Sequence, residues 1–246
     1  MADPIVALLA AGMLVAAFAY ASVGHGGASA YIAAMALFSV APETMKPTAL
    51  ALNLLVAGFG AWRYWRRDLT NWKLVLAFAL TAAPAAFIGG GIHLPAIYYK
   101  PLVGILLWAA ALRLLWQPRA LAERDVRSPS WWISVPAGAV LGILAGLTGT
   151  GGGIFLSPLI ILNAWEEPRH TSGVVAAFIF LNSAAGLAGN AASVGHLPHE
   201  LPVFLGSVFA GALLGTWLGV ERLPRPWLLR TLGAVLTVAG TKLLFT

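Results

Sequence analysis

From Ser128 to Trp165 the chain carries no Asp, Glu, Lys or Arg. Such a run would form one long hydrophobic helix, but Gly149-Thr150-Gly151-Gly152-Gly153 interrupts it. A second uncharged run, from Pro4 to Pro42, is interrupted by Gly24-His25-Gly26-Gly27. Two broken apolar stretches at matching places in two halves of a chain are where function is expected.

These runs cannot form a water-exposed surface. Only 10% of the 246 residues are charged and 59% are hydrophobic, against about 25% charged in a soluble domain. The chain reads as an integral membrane protein whose surroundings are a lipid bilayer. Its formal charge of +6 is therefore a signal of orientation, not of a nucleic-acid partner. The absence of cysteine excludes disulfides and thiolate metal sites, and no cofactor is implied. Ala19-Tyr20-Ala21 resembles a signal-peptide cleavage site, but Met1-Ala2-Asp3 carries no positive charge, so the first segment is expected to be retained.

The apolar segments fall in two sets of five. Segments A to E cover about Ile5–Val23, Ala28–Val40, Pro47–Trp62, Leu74–Ile92 and Ile97–Leu115. Segments A′ to E′ cover about Trp131–Thr148, Ile154–Ala164, Thr171–Ala192, Leu201–Val220 and Trp227–Phe245. In each half a long segment meets a glycine cluster, then a short segment, then an acidic loop (Ala41-Pro42-Glu43 against Glu166-Glu167-Pro168), then three more segments. Matched positions stay about 125–129 residues apart, the layout of an internal duplication. The expected architecture is an all-α polytopic membrane protein of two inverted repeats. Residues 1–116 form the first repeat, 117–130 a polar cytoplasmic linker and 131–246 the second repeat.

Positive charges choose the topology. If all five segments of each half cross and the N-terminus lies outside, twelve of the fifteen Lys and Arg fall inside, leaving Lys46, Lys100 and Lys242 outside. If the short segments are re-entrant instead, six fall outside. The positive-inside bias favours the first arrangement. An odd number of crossings inverts the second half. The short segments remain the point of tension, since a full crossing takes about 20 residues.

A helix that starts after a glycine loop presents free N–H groups and a positive dipole end. It can bind an anion without a charged side chain. The candidate binding residues are His25, Gly26, Gly27, Asn53, Thr148, Gly149, Thr150, Gly151, Gly152 and Asn182. His25 is the intramembrane ionisable group, suited to substrate contact or proton coupling, or to a hydrogen bond within a tight turn. Thr148 and Thr150 offer hydroxyls, unless these bond back to helix carbonyls. Asn53, Asn182 and Asn190 must find partners in apolar surroundings, either a ligand or a neighbouring helix. Gly138, Gly142 and Gly146, spaced by four, read as a packing stripe. His93, His196 and His199 read as solvated loop residues, and Trp62–Arg67 as an interface anchor.

The motifs Gly24-His25-Gly26-Gly27-Ala28-Ser29, Gly146-Leu147-Thr148-Gly149-Thr150-Gly151-Gly152-Gly153 and Asn182-Ser183-Ala184-Ala185-Gly186-Leu187-Ala188-Gly189 resemble those of the TauE/SafE permeases. That is the sulfite exporter or 4-toluene sulfonate uptake family. The resemblance covers the chain, with His25 and Ala28 where the family pattern is commonly richer in glycine. It implies transport of a small sulfur-containing anion, such as sulfite, sulfoacetate or another organosulfonate, across a bacterial inner membrane. Alternating access about the two helix starts is the expected mechanism. An anion channel and a carrier of a different small organic anion are the alternatives. Proton coupling and a homodimer stay open. An enzyme is not expected: Ser29 and His25 form the one nearby Ser/His pair, with no carboxylate in the same segment. The glycines at Gly149 partly match a dinucleotide fingerprint, but no strand precedes them and no Walker lysine follows.

Overall fold

The computed structural model describes residues 4–22, 24–115, 126–191, 195, 197–219, 236–238 and 240–245. Residues 117–125 of the expected linker, His196, and residues 220–235 with Arg222, Arg225 and Arg230 lie outside that set. The described residues are helical, with no strand among them. In order they form α1 (Pro4–Ala21), α2 (Ala28–Leu37), α3 (Pro42–Trp65), α4 (Trp72–Gly91) and α5 (Ala96–Leu115). After the linker come α6 (Trp131–Thr148), α7 (Gly153–Leu162), α8 (Pro168–Gly189) and α9 (Leu201–Gly219), then α10 (Leu236–Phe245).

Helices α3 and α8 start earlier than the expected Pro47 and Thr171. Of the residues read as acidic loops, Pro42, Glu43 and Pro168 belong to helix starts, while Ala41 and Glu167 are the N-caps and Glu166 stays in the loop. Pro42 and Pro168 stand in the first helical turn, where the missing N–H costs nothing and the fixed φ favours entry. Glu43 adds a negative charge at the positive end of α3.

Four helices, α1, α4, α6 and most of α8, are long and apolar enough to cross a bilayer. Helices α2 and α7 have 10 residues each, about 15 Å at 1.5 Å per residue. That is half of a ~30 Å hydrocarbon core. Both end in the same device. Ser39 and Ala164 adopt φ of 57° and 51°. The next N–H reaches back five residues, from Val40 to Met35 O and from Trp165 to Ile160 O, each at 3.0 Å. A left-handed residue with this bond closes a helix without a capping side chain.

Lipid tails are as apolar as leucine, so helices associate here through close backbone packing. The Gly138, Gly142 and Gly146 stripe of α6 is that packing surface. A Cβ on these three glycines would strike Phe78 O, Ala82 O and Ala86 O of α4. The step of four on both helices means that α4 and α6 run in the same direction. Gly211 and Gly215 of α9 meet Leu14 O and Phe18 O of α1 in the same way, so α1 and α9 also run together. Helices α3 and α8 run oppositely, since Gly60 meets Ala176, Gly58 meets Phe180, and Gly186 meets Leu50.

Two apolar clusters result. One joins α1, α2, α3, α5, α9 and α10 around Met13, Tyr31, Leu52, Leu107, Val208 and Leu236. The other joins α4, α6, α7 and α8 around Phe78, Leu156, Ile160 and Phe178. Helix α4 thus packs with the second half of the chain, and α9 with the first. Exposed apolar side chains such as Leu8, Leu80, Ile105, Val140 and Leu214 face outward, as a lipid-facing surface requires. Trp62, Trp65, Trp72, Trp131 and Trp132 are exposed near the α3–α4 turn and the start of α6. Since α4 and α6 run together, these tryptophans belong to one end of the bundle. Arg63, Arg66, Arg67, Lys73 and Arg127 lie at that end too, with Arg66 5.6 Å over the Trp62 ring. This is the aromatic and basic layer of a membrane interface.

Candidate functional site

Each glycine cluster turns the chain from a long helix into a short one, and the turn requires glycine. Gly24 and Gly27 have φ of 77° and 97°, and Gly149, Gly151 and Gly152 have 81°, 73° and 75°. Other residues are strained in this left-handed region. Space forbids side chains as well. A Cβ on Gly24 would stand 2.8 Å from Ser172 O, and one on Gly149 3.0 Å from Lys46 O.

The two loops lie along opposite helices. Gly24 touches Ser172 and Gly26 touches Ile179, seven residues further along α8. Gly149 touches Lys46 and Gly151 touches Asn53, seven residues further along α3. Seven residues is close to two helical turns, so each loop follows one helix face. Gly26 also meets Asn53, and Gly151 also meets Ile179. Both breaks therefore converge on the same two side chains, Asn53 and Ile179.

The short helices begin at this convergence. Gly27 and Gly152 are their N-caps, and neither supplies a capping side chain. At α2 the vacancy is filled: Asn53 Oδ1 accepts from Ala28 N at 3.0 Å. At α7 the corresponding neighbour is Ile179, whose side chain packs on Gly153 and offers no acceptor. Asn53 is 0% exposed, and its Nδ2 has no partner among the described residues. A Cβ on Gly151 would lie 2.7 Å from that Nδ2 and 3.2 Å from Ser183 Oγ. Ser183 Oγ is also buried and unpartnered, as are both amide atoms of Asn182. Asn182 follows Ile179 by three residues and precedes Gly186 by four, on the face of α8 turned to α3. Buried polar atoms without partners cost about 1–3 kcal/mol each. A cluster of them beside a helix N-terminus is chemistry suited to an anionic ligand.

The remaining candidates build the walls. Thr148 donates its hydroxyl hydrogen to Leu144 O at 2.6 Å, the back-bonding arrangement, and its oxygen meets Thr150 Oγ1 at 3.0 Å. Tyr99 OH donates to Thr148 O at 3.1 Å. His25 is half-buried. Its N–H donates to Tyr20 O at 2.9 Å, and its ring stands edge-on to Tyr20. Tyr31 OH donates to Gly26 O at 2.7 Å, and Tyr20 OH pairs with Ser29 Oγ at 2.9 Å, fixing the first loop. Asn190 ends α8, buried, with both amide atoms unpartnered. His93 and His199 are exposed, as expected of loop residues.

Sequence reasoning passed over three residues. Ser183 adjoins Asn182 in the motif and was legible there. Ile179 is the counterpart of Asn53 but, being apolar, carries no chemical signal. Lys46, expected in a polar loop, is instead 6% exposed within α3.

The family description Sulfite exporter TauE/SafE matches residues 8–243. A probable membrane transporter protein, y4hK of Sinorhizobium fredii, is 39% identical over 240 residues, covering 96% of this chain and 97% of that protein. The probable membrane transporter protein YjnA of Bacillus subtilis is 28% identical over 241 residues, covering 90% and 92%. No solved structure matches. With its apolar spans and its glycine-broken helices, the chain is a multi-pass membrane protein that belongs to the TauE/SafE family of membrane transporters.

Proposed function

We propose that this transporter carries a small sulfur-containing anion, sulfite, sulfoacetate or another organosulfonate, across the bacterial cytoplasmic membrane by alternating access. The observation that carries the reading is the convergence of both glycine breaks on Asn53 and Ile179. There the start of α7 meets the unpartnered Asn53 Nδ2 and Ser183 Oγ. Backbone N–H groups of Gly151, Gly152 and Gly153 would hold the anion, with Asn53, Ser183 and Asn182 adding neutral donors. Gly26, Gly27 and His25 close the site from the first loop, and Gly149 with Thr148 and Thr150 from the second. With no full cationic side chain among these donors, binding is strong enough to load and weak enough to release.

Two features support inverted repeats over residues 1–116 and 131–246. The parallel pairs α4/α6 and α1/α9 correspond under a shift of about 125 residues: Gly89 meets Ile143 O as Gly215 meets Phe18 O. The helix endings at Ser39 and Ala164 match in the same way. Inversion lets one bundle rock against the other about a shared centre. His25 at the rim of the first loop is the group through which protons would couple.

The test is anion-dependent stabilisation of the purified protein. Sulfite, sulfoacetate, taurine, thiosulfate and sulfate are compared by thermal shift, then repeated with Gly151→Val. Stabilisation by one or more sulfur anions in the parent, lost in the variant, is the expected outcome. Stabilisation that persists in Gly151→Val sinks the central site. Acetate and succinate serve as sulfur-free controls, and a response confined to them reassigns the substrate.

A further inference from the structure

Lys46 is the one charged side chain among the buried described residues, and nothing in the anion site uses it. Its ammonium lies 2.8 Å from Gly90 O, 3.0 Å from Ile92 O and 3.3 Å from Gly89 O. A lysine has three hydrogens to donate, and three carbonyls at the end of α4 take them. This decides its role. The charge is spent on the negative end of a helix dipole, so Lys46 is not an anion ligand but a cross-link from the start of α3 to the end of α4.

The cross-link lies against the second glycine loop. Lys46 O would be 3.0 Å from a Cβ on Gly149, and Asn53 lies seven residues along the same face of α3. Prising α3 from α4 at this end therefore moves the wall on which Gly149 and Gly151 rest. The opposite end is tied by other side chains: Arg63 Nη1 donates to Thr216 Oγ1 at 2.8 Å and Asn71 Nδ2 to Glu166 Oε2 at 2.6 Å. There Gly24 rests on Ser172, which occupies the place in α8 that Lys46 occupies in α3.

We infer that Lys46 is a latch, a positioning residue that holds the carrier closed at the end where α3 starts and α4 stops. Breaking it shifts the resting population toward the conformation open at that end. The inference rests on the alternating-access reading, and the experiment separates the two.

The chain contains no cysteine, so one introduced thiol reports alone. Thr48, buried two residues beyond Lys46, and Thr171, buried at the start of α8, mark opposite ends, because α3 and α8 run oppositely. Thr48→Cys and Thr171→Cys are each labelled with a membrane-impermeant maleimide in detergent, in the parent and in Lys46→Met. The latch predicts that labelling at Thr48→Cys accelerates about tenfold, the shift expected from removing one buried cation from a helix C-terminus. Labelling at Thr171→Cys slows or holds, and Lys46→Arg restores the parent rates. Faster labelling at both ends shows a cap that merely stabilises the bundle and overturns the latch. So do unchanged rates at both ends, if sulfite or a sulfonate still alters labelling in the parent. If no anion alters labelling at either end in the parent, alternating access itself fails. Should Lys46→Met not fold, Lys46→Gln keeps a shorter donor and must show the same one-sided change in smaller degree.

Discussion

The starts of α2 and α7 share a backbone and differ in chemistry. Both follow left-handed glycines, both are N-capped by glycine, and both helices run ten residues to a left-handed non-glycine turn. Yet α2 has its leading N–H bound by Asn53 from its own half, whereas α7 faces Ile179. The first start is internally satisfied and the second is open. The two starts thus share a backbone geometry, while only the second lacks a polar side chain at its leading N–H among the described residues. Asn53 serves both sides: its oxygen closes α2 and its nitrogen is left for whatever occupies the space at Gly151.

That contrast can be broken at three points. Asn53→Leu should have the largest effect. It orphans Ala28 N and removes the donor at Gly151, lowering stability by about 1–3 kcal/mol and abolishing anion-dependent stabilisation in a thermal shift. Asn53→Asp keeps the acceptor for α2 and, where ionised, turns a negative charge toward Gly151, so it should fold with a lower Tm than the parent and fail to bind an anion. Equal binding by the parent and Asn53→Asp would show that the nitrogen has no role. Ser183→Ala comes next. Binding should weaken by about 0.5–1.5 kcal/mol, the worth of one neutral hydrogen bond, without loss of thermal stability in the absence of anion. An unchanged affinity removes Ser183 from the site. The smallest effect concerns the shared ending. Ala164→Gly relieves a left-handed alanine and should stabilise the fold by about 1 kcal/mol, read as a small rise in Tm. A fall in Tm would mean that the methyl packing outweighs the strain.

Much of the fold was legible because a bilayer leaves few options. Uncharged apolar runs locate the helices, and α6 ends where the sequence places it, at Thr148. The glycine clusters mark the breaks, since nothing else excuses glycines in series inside an apolar stretch. The site was less legible. Asn53 stood out as an amide in an apolar span, but its partner Ala28 lies 25 residues away and no local pattern pairs them. The Thr148 hydroxyl was open between the site and a helix carbonyl, and the helix geometry commits its hydrogen to Leu144. Lys46 was misplaced for a specific reason. Pro42 read as a loop residue and Pro47 as the start of the segment, whereas Pro42 opens α3 and Pro47 lies inside it, which carries the lysine into the packed interior.

The exchange of α4 and α9 between the two apolar clusters has a consequence for how the protein is made. During synthesis α4 leaves the ribosome before α6, the helix whose glycine stripe fits its carbonyls, has been translated. Helix α1 likewise waits for α9 almost to the end of the chain. Each half enters the membrane holding a surface that only the other half can cover, so neither is a folding unit. Severing the linker would leave two fragments that mature only together. The reciprocal loan makes the centre, where Asn53 and Ile179 meet, the last part of the molecule to be assembled.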